Sequence, residues 1–124
     1  MKTSELVFNY LKEEGLVPKY DNDNIRFKYQ MLNFLYYNND EDAAFINLTL
    51  PCIYEVTDDN RLAVFEAMNE VNETTKVVKL TIAGNQVWCA TEILTDTTPE
   101  LDDLFPRLLG ILLTSRKKFY EKIE

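Results

Sequence analysis

Ile25-Arg26-Phe27-Lys28-Tyr29-Gln30-Met31-Leu32-Asn33-Phe34-Leu35-Tyr36-Tyr37 is the stretch on which the fold turns. Apolar and polar side chains alternate strictly from Ile25 to Tyr29, the period of a half-buried strand. Leu32 to Tyr37 reads as a second strand. With Gln30-Met31 as a two-residue connection, Tyr29 faces Leu32, Phe27 faces Phe34 and Ile25 faces Tyr36. Those six side chains share one face of a sheet. Arg26, Lys28, Asn33, Leu35 and Tyr37 share the other.

Working downstream, Asn38 to Asp42 is a polar turn. Ala44 to Leu50 reads as a third strand, with Ile46, Leu48 and Leu50 on one side and Phe45 on the other. Pro51 ends regular pairing or marks an edge. Thr57, Asp58 and Asp59 announce a helix. Leu62, Phe65, Ala67, Met68 and Val71 recur at helical spacing to about Asn72. Lys76 to Ile82 and Gln86 to Leu94 are two more strands. Gly84-Asn85 between them is a hairpin signal, because such turns need positive φ. That register pairs Ile82 with Val87 and Leu80 with Cys89 inward. It places Thr81 beside Trp88 outward, with Val77 further along.

Upstream, Leu6, Val7, Tyr10 and Leu11 give Thr3 to Glu14 one apolar helical face. Thr3 or Ser4 caps its start, Gly15 ends it and Pro18 prevents resumption. Asp21-Asn22-Asp23-Asn24 is a polar turn. At the C-terminal end, Thr97 and Glu100 have capping-box spacing, and Pro99 suits a first helical position. Leu101, Leu104, Leu108, Leu112 and Phe119 follow as a long stripe, which Pro106 should kink or divide. The expectation is one α+β domain over residues 1–124, in the order α-β-β-β-α-β-β-α. Its sheet is antiparallel and five-stranded, with the helices packed on one face.

The chain's 124 residues carry a net charge of −8, with 21 acidic against 13 basic side chains. Nucleic acid demands a basic footprint, and an anionic membrane surface does too, so neither is expected as a partner. The acidity reads first as solubility. No secretory signal or membrane-spanning run is evident, which implies a cytoplasmic protein with Cys52 and Cys89 reduced.

Catalytic equipment is sparse. Histidine is absent, which removes the commonest general base and metal ligand. The two cysteines stand alone, and Gly15, Gly84 and Gly110 are too dispersed to cradle a phosphate. Asp21-x-Asp23 fails the calcium-loop pattern, since Ile25, Arg26 and Leu32 occupy positions that need other residues. Asp58-Asp59 and Asp102-Asp103 sit at expected helix starts, where carboxylates complement the helix dipole. No catalytic residue, cofactor or metal is therefore assigned.

What remains is the outward sheet face. Leu35, Tyr37, Phe45, Val77 and Trp88 stand there among polar neighbours, and such aromatic patches mark contacts. Two other outcomes would remove the patch: the last helix wraps over this face, or the register slips by one and inverts it.

The element order, small size and pI of about 4.6 resemble the YbjN-like family, whose fold is similar to that of class I type III secretion chaperones. Met68-Asn69-Glu70-Val71-Asn72 resembles the end of that family's central helix, and Ile25-Arg26-Phe27 resembles an element of its first strand. The resemblance implies a cytoplasmic, dimeric, non-enzymatic bacterial protein tied to sensory-transduction regulation or chaperone-like binding. It carries over no catalytic residue. Asn69 and Asn72 are read as capping the helix and tying it to the next strand. The leading expectation is thus a protein-binding homodimer. The alternative is a toxin-immunity or inhibitor protein whose acidic surface meets a basic site.

Overall fold

The computed structural model of the chain describes residues 1–42 and 44–124. Helix α1 (Thr3–Glu13) leads into β1 (Lys19–Asp21), β2 (Asn24–Tyr29), β3 (Leu32–Tyr37) and β4 (Phe45–Glu55). Helix α2 (Arg61–Thr74), β5 (Val78–Ala83), β6 (Gln86–Leu94) and α3 (Leu101–Ile123) follow. All strand pairs are antiparallel, in the order β1-β2-β3-β4-β6-β5.

The opening hairpin has the expected register, with Ile25, Phe27 and Tyr29 opposite Tyr36, Phe34 and Leu32. Gln30 and Met31 both take positive φ, 49° and 67°. That combination matches the right-handed twist of the flanking strands. The second hairpin also has its expected register, Ile82 with Val87 and Leu80 with Cys89, around Gly84 at φ 62°.

The class is α+β as expected, but the sheet has six strands rather than five. The extra one is β1, whose Lys19-Tyr20-Asp21 is too short to show a period and lies between Pro18 and a polar turn. That turn closes a hairpin, with Asn22 at φ 56°. Pro51 does interrupt regular pairing, as expected, but it does not end the strand. β4 runs on to Glu55 through a bulge, where Cys52 has φ 54° and the register to β6 shifts between Leu50 and Tyr54. A bulge leaves a residue unpaired, which suits a proline that has no N–H to donate.

All three helices pack on one face. Val7 and Leu11 of α1, Val64, Ala67 and Val71 of α2, and Phe105, Leu108, Leu112 and Phe119 of α3 join one core. Ile25, Phe27, Phe34, Tyr36, Ile46, Leu48, Leu80, Val87 and Cys89 supply the sheet's share. The stripe on α2 is rotated from the expected one. Val64 is buried, whereas Leu62 is 71% and Phe65 48% exposed. Pro106 does not divide α3, which is one helix from Leu101 to Ile123. Pro106 lies in the second turn, so the Asp102 C=O loses its N–H partner, but both residues are on the exposed side, where water meets that carbonyl. Neither Thr97 nor Thr98 caps α3; its flanking residue is Glu100, without a side-chain cap.

The start of α1 is capped from a distance. Thr3 and Ser4 lie inside the helix, and Lys2 offers no side-chain cap. Asp40, from the loop after β3, instead accepts hydrogen bonds from the Ser4 N–H (3.0 Å) and the Ser4 hydroxyl (2.6 Å). Burial pushes the Asp40 carboxyl up, but the bonds from Ser4 and Asn38 outweigh it and hold the pKa below its usual 3.8. Because the folded value is the lower one, this stabilisation is present above the unfolded pKa and lost as pH falls through the folded pKa. Asp40→Ala should cost about 1 kcal/mol at neutral pH and flatten the loss of stability below about pH 4. Denaturant titrations at pH 7 and pH 3 would show it. An equal deficit at both pH values would contradict the assignment.

Candidate functional site

Leu35, Tyr37, Phe45 and Trp88 all belong to the sheet face opposite the helices. Each lies one residue out of phase with a core position: Phe34 and Tyr36 around Leu35, Ile46 after Phe45, Val87 and Cys89 around Trp88. None of the four belongs to the core cluster or packs against it. Leu35 is nonetheless only 7% exposed, and Thr49 beside it only 1%. Tyr37, Phe45 and Trp88 are half-buried. The two outcomes that would have removed the patch are thus absent: the register holds, and α3 lies on the other side.

Register relates these residues. Across the sheet, Arg26, Leu35, Thr49, Ala90 and Lys79 form one row, and Tyr37, Asn47 and Glu92 form the next. Phe45 pairs with Leu94 at one end, and Trp88 pairs with Thr81 at the other. The Thr49 hydroxyl donates to the Asn47 side chain at 2.7 Å, and Lys79 forms an ion pair with Glu92. Apolar and aromatic groups therefore surround a centre whose polar groups are already engaged.

Val77 does not join this face through the strand. It precedes β5 with φ 74° and is 47% exposed. β5 begins at Val78, not Lys76, and the left-handed residue breaks the alternation that was expected to extend to Val77. Leu94 is the member that the sequence reading omitted, and it is largely exposed. Its signal was present, since alternation from Trp88 through Ala90 and Glu92 ends on it.

At the middle of its free edge, β5 is tied to α2. The Asn72 carboxamide accepts from the Leu80 N–H at 2.8 Å and donates to the Leu80 C=O at 3.3 Å. It thus occupies both Leu80 groups that would pair with another strand at the middle of this edge.

At the chemistry-bearing positions the structure offers little. Cys89 is buried, with its thiol pushed up to about 12 by burial, and Cys52 is exposed and unbonded. Asp102 and Asp103 stand in the first turn of α3 as expected, with Asp103 paired to Arg107 at 3.6 Å, whereas Asp58 and Asp59 precede α2 without capping it, and Asp58 pairs with Arg61 at 3.2 Å. At the end of α3, Arg116 lies over the Tyr120 ring at 4.6 Å and Lys118 donates to Thr75 at 3.0 Å. The loops holding Asn22–Asn24 and Asn38–Asp42 border a polar cleft of about 540 Å³. Among the described residues, no three His, Cys, Asp or Glu side chains gather as a metal site requires. Nor is any helix among them long and apolar enough to cross a membrane.

No family model matches the chain, and no curated protein does either. Among solved structures, an uncharacterized protein from Methanothermobacter thermautotrophicus matches with a TM-score of 0.67 at 14% identity, over 97% of this chain and 95% of that one. YbjN from E. coli, described as a candidate transcription regulator, matches with a TM-score of 0.63 at 10% identity. That match covers 97% of this chain and 87% of YbjN. This chain has a YbjN-like fold. At such identities the YbjN-like architecture is what is shared, and neither of these two proteins is described as an enzyme.

Proposed function

We propose that the chain is a non-enzymatic protein-binding module, chaperone-like or regulatory, that works in the cytoplasm as a homodimer through the open sheet face. The observation that carries this reading is the set Leu35, Tyr37, Phe45 and Trp88, on a face that no helix covers among the described residues. Asn72 holds the Leu80 groups at the β5 edge, which leaves the face as the larger surface beside it. Trp and Tyr are enriched among the residues that dominate interface energetics. The description of YbjN as a candidate regulator agrees with a binding role.

Combining Trp88→Ala with Tyr37→Ala removes two rings from the face and none from the core. The folded circular dichroism spectrum and unfolding midpoint should barely change. Dimer or partner affinity should fall about 30-fold or more, the loss of one or more interface hot spots. Light scattering after gel filtration, together with affinity capture from the native cell, reads both. Unchanged mass and unchanged captured proteins would sink the proposal. Capture of a basic toxin in a salt-sensitive complex would replace it with the inhibitor reading.

A further inference from the structure

The edge of β2 beyond β1 is open, and it borders the same face. β1 pairs with β2 only as far as Lys19 opposite Arg26. Pro18 lacks an N–H and cannot continue the ladder, so the chain from Gly15 to Pro18 leaves β2. Phe27, Lys28 and Tyr29 then have a neighbour in β3 and none on the β1 side.

Hairpin parity settles which backbone groups face the gap. In a two-residue hairpin the residues flanking the loop exchange both backbone bonds, and the pairing alternates from there. Tyr29 with Leu32 and Phe27 with Phe34 are therefore bonded pairs, while Lys28 and Arg26 turn their N–H and C=O away from β3. Arg26 meets Lys19 there; Lys28 meets nothing from β1.

The gap is a cleft of about 490 Å³ between the segment carrying Leu16, Val17 and Lys19 and the strands carrying Arg26, Phe27 and Lys28 (β2) and Asn33 (β3). Val17 is 72% exposed, so the wall is apolar. No carboxylate lines the cleft, although acidic side chains outnumber basic ones 21 to 13 in the chain. Lys19, Arg26 and Lys28 ring it instead, and Arg26 alone of these has an ion-pair partner, Asp21.

We infer that this cleft takes an extended, acidic and apolar peptide segment of a partner protein, which adds to the sheet in line with β1. The partner's backbone bonds the Lys28 N–H and C=O, its apolar side chains meet Val17 and Leu16, and its carboxylates meet Lys19 and Lys28. This is strand addition at a sheet edge, with main-chain bonds supplying affinity and side chains selecting sequence. The inference rests on the protein-binding reading above and names the partner's chemistry.

The test uses the full chain, ¹⁵N-labelled, and a capped peptide of alternating valine and glutamate, about six residues long to match a typical strand. Addition of the peptide should shift the Lys28 amide resonance and slow its hydrogen exchange. A peptide with lysine in place of glutamate should bind at least about tenfold more weakly, as should one N-methylated on alternate backbone nitrogens. Lys19→Glu with Lys28→Glu should weaken the glutamate peptide by a similar factor. A Lys28 amide unmoved at millimolar peptide, or equal binding of the lysine peptide, overturns the inference. So does tighter binding of an oligothymidylate of about ten nucleotides at the same amides, which would make the ligand a nucleic acid. If the glutamate peptide fails while the Trp88 and Tyr37 changes still abolish assembly, the cleft inference falls and the face reading stands.

Discussion

Phe105→Ala should lower the stability of the chain by about 3–5 kcal/mol, the usual cost of emptying a phenylalanine site in a core. Phe105 has no exposed surface. Its ring joins the helix layer to the sheet, with Tyr10 of α1 at 5.3 Å and Tyr36 of β3 at 6.5 Å between centroids. Three elements therefore border the void, and none can close it without giving up its other contacts. A domain of this size has about 5–15 kcal/mol in hand, so the variant stands near unfolding at physiological temperature. Tyr36→Phe is the matched control. The Tyr36 hydroxyl is buried with no hydrogen-bond partner among the described residues, so its removal keeps the packing and relieves an unsatisfied group. That change should fall within about 1 kcal/mol of neutral or stabilise. Urea titrations with a shared slope give both values, and a loss below about 1.5 kcal/mol in Phe105→Ala would show that the layers repack.

Asn72→Ala should cost about 1–3 kcal/mol and also change how the molecules associate. Its side chain holds both backbone groups of Leu80 at the outer edge of β5. Parity from the Gly84-Asn85 hairpin turns those groups away from β6, so without Asn72 they face solvent or another chain. An unpaired strand edge is a template for pairing with another copy. Larger species should appear as concentration rises, and the Leu80 amide should exchange faster in dilute solution. Asn72→Asp keeps an acceptor for the N–H, loses the donor for the C=O and adds a charge, which should limit association. An unchanged mass with a Leu80 amide as slow as in the parent chain would remove Asn72 from this role.

Much of this arrangement was legible in the sequence wherever a local rule had one solution. Gln30-Met31 and Gly84-Asn85 set the register of their hairpins, and a correct register sorts every side chain between the two faces. Leu35, Tyr37, Phe45 and Trp88 were placed outward for that reason, and the structure leaves them outside the core. Val77 was misplaced because a positive φ breaks alternation without a glycine to announce it. The same applies at Cys52, where the bulge carries β4 past Pro51. β1 escaped notice because three residues hold too little pattern, and its pairing with β2 depends on Asn22 turning the chain back.

The sorting of these side chains onto the face away from the core is thus a property that the sequence by itself determined, through strand alternation and two tight turns. The acidic composition, the missing histidine and the apolar stripes of α1 and α3 were equally readable, since each depends on residue identity or local spacing alone. Only the tertiary structure decided that α3 leaves the aromatic face bare and that Asp40 caps α1 across 36 residues of chain. It also decided that Asn72 holds Leu80 at one edge of the sheet while Pro18 leaves the β2 edge partly open. These outcomes depend on which distant groups meet. Local spacing encodes which side chains are available, but the packing of helices on the sheet selects the contacts they make.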